Sequence, residues 1–215
     1  MTTRIDETDM VISDTGERPH PGAVSVCEGF AELVNIGFSE AVELALWRRS
    51  PPKEIQDWFC KQDFSGFHDF RVDGTAEDVL SATNDFLDMQ GWDDRLRDFI
   101  VSDVKTIIAS TSDSSPAFTL RLEYVTDDAC RKFHKDQTDI RLITTYMGRG
   151  SQWINIRDGD RNPVVEEMET FEVGMFLGER SDDLEGVFHR SPPIENTETA
   201  ERFMMVVDVE RPGKC

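Results

Sequence analysis

A histidine, an aspartate two residues later, a second histidine and an arginine stand in one order along this sequence: His134, Asp136, His189 and Arg202. Two imidazoles and one carboxylate form the facial ligand set of a non-haem Fe(II) site, which leaves three coordination positions for substrate and oxygen. Zn(II) accepts the same donors, so ligand type alone does not choose the metal. Arg202, thirteen residues beyond the second histidine, is where a 2-oxoglutarate enzyme would hold the far carboxylate of its co-substrate, through a charge-assisted pair. The sequence holds four histidines and two fall in this pattern.

A lone His-x-Asp carries little information, so the weight rests on context. Side chains two apart on a strand point the same way, so His134 and Asp136 can face one interior. Val187, His189 and Ser191 share a face in the same manner before Pro192-Pro193 ends the strand. Arg202 opens a strand in which Met204 and Val206 are its face-mates, while Phe203, Met205 and Val207 take the other side. A guanidinium among apolar inward positions is costly unless it meets an anion. Two satisfied core histidines are the bland alternative; the four residues together favour a metal site. No catalytic side chain stands out beyond these ligands.

Other candidates are weaker. His68, in Gly66-Phe67-His68-Asp69-Phe70, reads as a loop histidine, and His20 between Pro19 and Pro21 reads as solvated. Trp153 follows a glycine turn and could line a pocket, but a core tryptophan is the simpler expectation. Cys130 lies four residues before His134; a buried structural thiol is expected there rather than a nucleophile or ligand. Phosphate loops, nucleophile elbows and zinc-finger spacings are absent from the sequence.

The elements that must hold these residues fall into two blocks. Helical signals dominate 35–110: Ser50-Pro51-Pro52 reads as an N-cap with proline in the first turn, and Thr75-Ala76-Glu77-Asp78 as a capping box. Leu96, Phe99, Ile100, Val104, Ile107 and Ile108 form the clearest helical stripe, whereas Val42, Leu44 and Leu46 alternate as a strand would. After the polar turn Ser110–Ser115 the period becomes two: strands are expected at 118–124, 140–146, 151–156, 171–177, 187–189 and 202–209, with turns at Gly148-Arg149-Gly150 and Asp158-Gly159-Asp160. Strands in a run after helices suggest an α+β chain whose antiparallel sandwich or barrel, 116–210, carries the helices outside. One domain over 21–215 is expected, preceded by a flexible acidic tail at 1–20.

Composition bounds the partners. Hydrophobic residues make up 38% and charged residues 31% of the 215, as in a soluble globular domain. The opening residues hold no apolar run, so no leader is expected, and no stretch suits a membrane. A net charge of -20 repels phosphate backbones, which argues against nucleic acid. Acidic residues number 43 against 23 basic ones, of which six are lysine; such a surface suits concentrated salt or a mildly acidic cytosolic protein. Cys27, Cys60, Cys130 and Cys215 are scattered without paired spacing and read as reduced thiols, which fits a cytoplasmic setting.

Three stretches carry a family resemblance: 130–136 (CRKFHKD), 141–153 (RLITTYMGRGSQW) and His189-Arg190-Ser191-Pro192-Pro193. Together they resemble a bacterial family known as domain of unknown function 1826, over most of the chain from about Asn35. Arg149 and Ser151 stand where that family has proline and threonine. Its members are often encoded near zinc-responsive metallochaperones. More distantly the order resembles Fe(II)/2-oxoglutarate oxygenases of the prolyl-hydroxylase type: His134 and Asp136, then Arg141 with Thr144 and Tyr146, Gly174, His189 and Arg202. That likeness implies a double-stranded β-helix (jelly-roll) core with the helical block packed outside it. It further implies Fe(II) on His134, Asp136 and His189, and 2-oxoglutarate held by Arg202 with Tyr146 or Thr144, in a dioxygenase that hydroxylates an unnamed substrate. Two other readings stay open: a zinc- or iron-binding accessory protein of metal homeostasis without oxidative activity, and an inactive jelly roll serving as an interaction module.

Overall fold

The structure, a computed structural model, describes residues 4–5, 24–38, 42–113, 115–127, 130–156, 162–179, 186–193 and 201–210. His20, Cys215, the Asp158-Gly159-Asp160 turn and most of the 1–20 tail lie outside the described residues.

Alternation builds the strands. In β5 (Phe118–Val125), Phe118, Leu120 and Leu122 are buried while Thr119, Arg121 and Glu123 are half-buried. β7 (Ile140–Met147), β10 (Val173–Leu177) and β12 (Arg202–Val209) are buried almost throughout, the mark of strands covered on both faces. With β2 (Val24–Cys27), β3 (Leu44–Trp47) and β4 (Phe70–Gly74) they form a seven-stranded sheet in the order β2-β3-β10-β7-β12-β5-β4. Its pairings are antiparallel except for β2 with β3. A second, five-stranded antiparallel sheet runs β1 (Arg4–Ile5), β6 (Phe133–His134), β11 (Val187–Arg190), β8 (Gln152–Asn155), β9 (Glu166–Glu167).

The large sheet buries both faces. Leu120, Leu142, Tyr146, Met205 and Val207 pack on one side against Leu96, Ile100, Val104 and Ile108 of α4 (Asp94–Thr111) and Leu87 of α3 (Ala76–Met89). On the other side Leu44, Leu46, Ile143, Phe176, Met204 and Val206 meet Val187 of the small sheet and Met168. The architecture is thus a mixed α+β one, with one core under the helices and a second between the sheets.

The first half is less purely helical than its sequence suggests. Among the described residues four helices are present, α1 (Phe30–Gly37), α2 (Lys53–Lys61), α3 and α4, yet β2, β3 and β4 are interleaved with them and join the large sheet. β3 is the ambiguous alternating segment: Leu44 and Leu46 turn toward the inter-sheet core and Ala45 toward the helices. β4 is an edge strand with alternating half-exposed residues, so its apolar signal was too thin to read. α3 opens on the capping box: Thr75 Oγ1 accepts from Asp78 N at 3.3 Å and Asp78 Oδ2 from Thr75 N at 3.0 Å. α2, by contrast, begins at Lys53 with Pro52 as its N-cap and no side-chain cap; Ser50 instead accepts from Gln56 Nε2 at 3.3 Å. Among the described residues no helix is long and apolar enough to cross a membrane.

Candidate metal centre and arginine cradle

β6 and β11 pair so that His134 lies directly opposite His189, and their ring centroids are 4.8 Å apart. β6 ends at His134, so Asp136 stands beyond the strand rather than on it. Its segment is held by the backbone: Glu179 N donates to Asp136 O at 2.8 Å and Gly178 N to Asp139 O at 2.9 Å. Gly178 allows this approach, since a Cβ there would lie 2.0 Å from Thr138 O. His134, Asp136 and His189 are all buried, and one ligand atom from each lies within 4.8 Å of the others.

The polar contacts orient these groups. His134 Nδ1 is 2.9 Å from Lys132 O; a carbonyl only accepts, so Nδ1 carries the proton and Nε2 turns its lone pair inward. That Nε2 is 3.6 Å from Asp136 Oδ1, and His189 Nε2 is 2.9 Å from Asp136 Oδ2. Arg141 Nη1 donates to Asp136 Oδ1. Oδ2 is buried and, among the described residues, makes no well-aligned hydrogen bond despite the 2.9 Å approach of His189 Nε2. Burial alone would raise the Asp136 carboxyl, but the two histidines and Arg141 outweigh it and hold it well below the usual carboxylate range. For His134 burial is likewise outweighed, and contact with Asp136 and Lys132 O raises it, whereas burial pushes His189 down.

These residues fit a divalent cation. Imidazole and carboxylate ligands bind such ions at about 2.0–2.2 Å, which sets ligand atoms at right angles about 3 Å apart. His189 Nε2 and Asp136 Oδ2, 2.9 Å apart, already meet that value, while the three ligand atoms lie within 4.8 Å of one another and would draw together around an ion. A desolvated carboxylate oxygen without a donor, facing an imidazole nitrogen, is what a positive ion would satisfy.

Arg202, at the start of β12, is 3% exposed. Its Nε donates to Arg149 O at 2.7 Å, Nη1 to Ser191 Oγ at 3.0 Å, and Nη2 to Thr145 Oγ1 at 3.2 Å and Ser151 Oγ at 3.3 Å. Among the described residues no carboxylate forms an ion pair with it. Its protein partners are neutral oxygens. Desolvation lowers its pKa to about 10. Ser191 lies two residues past His189, so the cradle and the second imidazole share one chain segment. The face of β12 that carries Arg202 continues through Met204 and Val206 in the inter-sheet core to Asp208. Asp208 takes Arg141 in a bidentate pair, at 2.5 and 2.8 Å, and Arg141 in turn holds Asp136.

Thr144 and Tyr146 are not brought to this cradle. Tyr146 turns to the helices, donating to Asp103 Oδ2 at 2.9 Å and stacking on Phe59 with centroids 5.0 Å apart. Asp103 is held in turn by Arg49 at 2.7 and 2.5 Å, and burial drives the Tyr146 phenol well above its ordinary pKa. Thr144, two residues away, shares that face. Thr145 contacts Arg202 instead. Trp153 is half-buried against the inter-sheet core, and His68 is exposed in a loop away from the site. Cys130 is exposed with φ 59°, not the buried thiol expected of it, and among the described cysteines only Cys27 is buried. The roles of Arg141, Thr145, Ser151 and Ser191 escaped sequence reasoning, although Arg141 stands in the oxygenase-like order and Ser191 was read on the face of His189.

Residues 31–208 match the model of a family described as protein of unknown function (DUF1826). No functionally curated protein matches the sequence. Among solved structures, the chain is similar to dioxygenase for auxin oxidation 1 of Arabidopsis thaliana in complex with 2-oxoglutarate. The TM-score is 0.56 at 11% identity, covering 91% of this chain and 94% of that one. The dioxygenase for auxin oxidation of rice gives a TM-score of 0.52 at 11% identity, with 90% and 87% covered. At such identity the likeness shows a shared fold.

Proposed function

The chain belongs to the DUF1826 family, and on that footing we propose that it is an Fe(II)- and 2-oxoglutarate-dependent oxygenase-like protein built on a double-stranded β-helix core. His134, Asp136 and His189 would hold the metal, and Arg202 would receive the distal carboxylate of 2-oxoglutarate, the ligand of the Arabidopsis relative in fold. When bound, iron and 2-oxoglutarate would supply the oxidising chemistry for hydroxylating a substrate C–H bond with dioxygen. The protein's share is position. Arg141 holds Asp136 Oδ1 and would orient the carboxylate toward a metal. Lys132 O fixes the His134 tautomer. Met204 and Val206 add buried apolar surface on the face of β12 that carries Arg202.

The observation that carries this reading is the Arg202 guanidinium: buried, without an ion-paired acid among the described residues, and ringed by three hydroxyls and a carbonyl. A metal-storing protein with the same three ligands has no need of it. Desolvating a cation without a counter-ion is expensive, and an incoming carboxylate supplies one through a bidentate pair. Anaerobic addition of Fe(II) and then 2-oxoglutarate to the purified protein should raise the weak visible charge-transfer band of a chelated keto acid. Fe(II) binding with no response to 2-oxoglutarate would instead favour a metal-accessory role.

A further inference from the structure

Glu43, the residue before β3, is 4% exposed and reaches from the large sheet to both segments that bear the candidate ligands. Its Oε2 accepts from Lys135 Nζ at 2.7 Å, and Lys135 stands between His134 and Asp136. The same carboxylate accepts from Gly186 N and Val187 N, each at 3.0 Å, just before His189 on β11. Gly186 permits the approach: a Cβ there would lie 3.0 Å from Glu43 Oε1 and 3.1 Å from Asn155 Oδ1. Lys135 makes a second contact with β11, its Nζ lying 5.6 Å from the centre of the Phe188 ring. On its other side Glu43 is fixed by its backbone, whose carbonyl accepts from Leu177 N at 2.9 Å.

A buried ion pair is a poor way to gain stability, because well-packed apolar side chains of similar volume serve as well or better. What it supplies is geometry, since both oxygens of one carboxylate fix the relative placement of an ammonium and two amides. We propose that Glu43 is a positioning residue for the metal centre, setting the distance between the His134–Asp136 segment and the strand that carries His189. The proposal rests on the metal reading of that triad and adds a residue remote in sequence that no ligand motif contains. Ligand supports of this kind change metal affinity by roughly 10–100-fold when removed.

Co(II) is the probe, because its visible ligand-field bands report geometry as well as binding. The full chain should bind Co(II) at one site. Glu43→Gln, which removes the charge but keeps the shape, should bind it at least ~10-fold more weakly with displaced bands. Val79→Ala, a core change in α3 far from the site, should lower thermal stability while leaving Co(II) affinity and spectrum as they were. Should Glu43→Gln fail to fold, Lys135→Met takes its place, since it leaves the Glu43 contacts to Gly186 and Val187 intact and should show the same loss. Co(II) binding by the Glu43 and Lys135 variants equal to the parent's, with the same bands, overturns the positioning role and leaves the metal centre standing. No Co(II) binding by the parent overturns the metal centre itself and the positioning role with it.

Discussion

At the scale of single residues, Arg202 and Arg141 do different work although both are buried arginines near one carboxylate network. Arg141 has Asp136 and Asp208, so its charge is already compensated; among the described residues Arg202 has neutral oxygens only. Arg202→Ala should therefore weaken 2-oxoglutarate binding by about 2–3 kcal/mol, the worth of a charge-assisted bidentate pair, while metal affinity persists. Titration of 2-oxoglutarate into the metal-loaded variant measures it, and an unchanged affinity contradicts the assignment. Arg141→Met should give the opposite profile. Asp136 Oδ1 loses its anchor, so metal affinity should fall by roughly 10–100-fold, with 2-oxoglutarate binding changed only through the metal; isothermal titration separates the two.

At the scale of elements, strand parity decides what the sequence could and could not disclose. His134, His189 and Arg202 were readable because their residue types are rare among apolar neighbours and their spacing allows one shared interior. The oxygenase resemblance sets Tyr146 or Thr144 beside 2-oxoglutarate, whereas Tyr146, and Thr144 opposite Met205, face the helical side of β7. That strand is buried on both faces from Leu142 to Tyr146, so its hydrophobic pattern carries no sign of which face is inward. The alternation Arg141, Ile143, Thr145 against Leu142, Thr144, Tyr146 becomes decisive only once Arg141 is seen on Asp136. Glu43 lay beyond reach for another reason: 92 residues separate it from Lys135, and no local pattern encodes such a contact. The parity has a measurable consequence. Tyr146→Phe should leave 2-oxoglutarate affinity unchanged, because its hydroxyl serves Asp103 beneath α4, and should cost about 1–2 kcal/mol of stability for the lost buried hydrogen bond. Denaturant melts and a binding titration on one preparation test both halves; a large loss of 2-oxoglutarate binding would return Tyr146 to the site.

At the scale of the whole molecule, charge rather than packing sets the response to solvent. The chain carries 43 acidic residues against 23 lysines and arginines, a net charge of -20. Several arginines are already committed in exposed pairs, among them Arg71 with Asp73, Arg95 with Asp93 and Arg97 with Asp88. Exposed pairs of this kind contribute only about 0–1 kcal/mol each, so screening them costs little. The uncompensated carboxylates repel one another over distances comparable to the Debye length, about 10 Å at 0.1 M salt and about 3 Å at 1 M. Added salt removes that repulsion, and the buried pairs at Asp136, Asp103 and Glu43 are shielded from it by burial. Repulsion therefore outweighs the lost surface attraction, and the melting midpoint should rise between low and molar sodium chloride. Scanning calorimetry at constant pH reads this directly. A midpoint that falls would mean that the surface pairs, not the excess negative charge, dominate the electrostatics of the folded state.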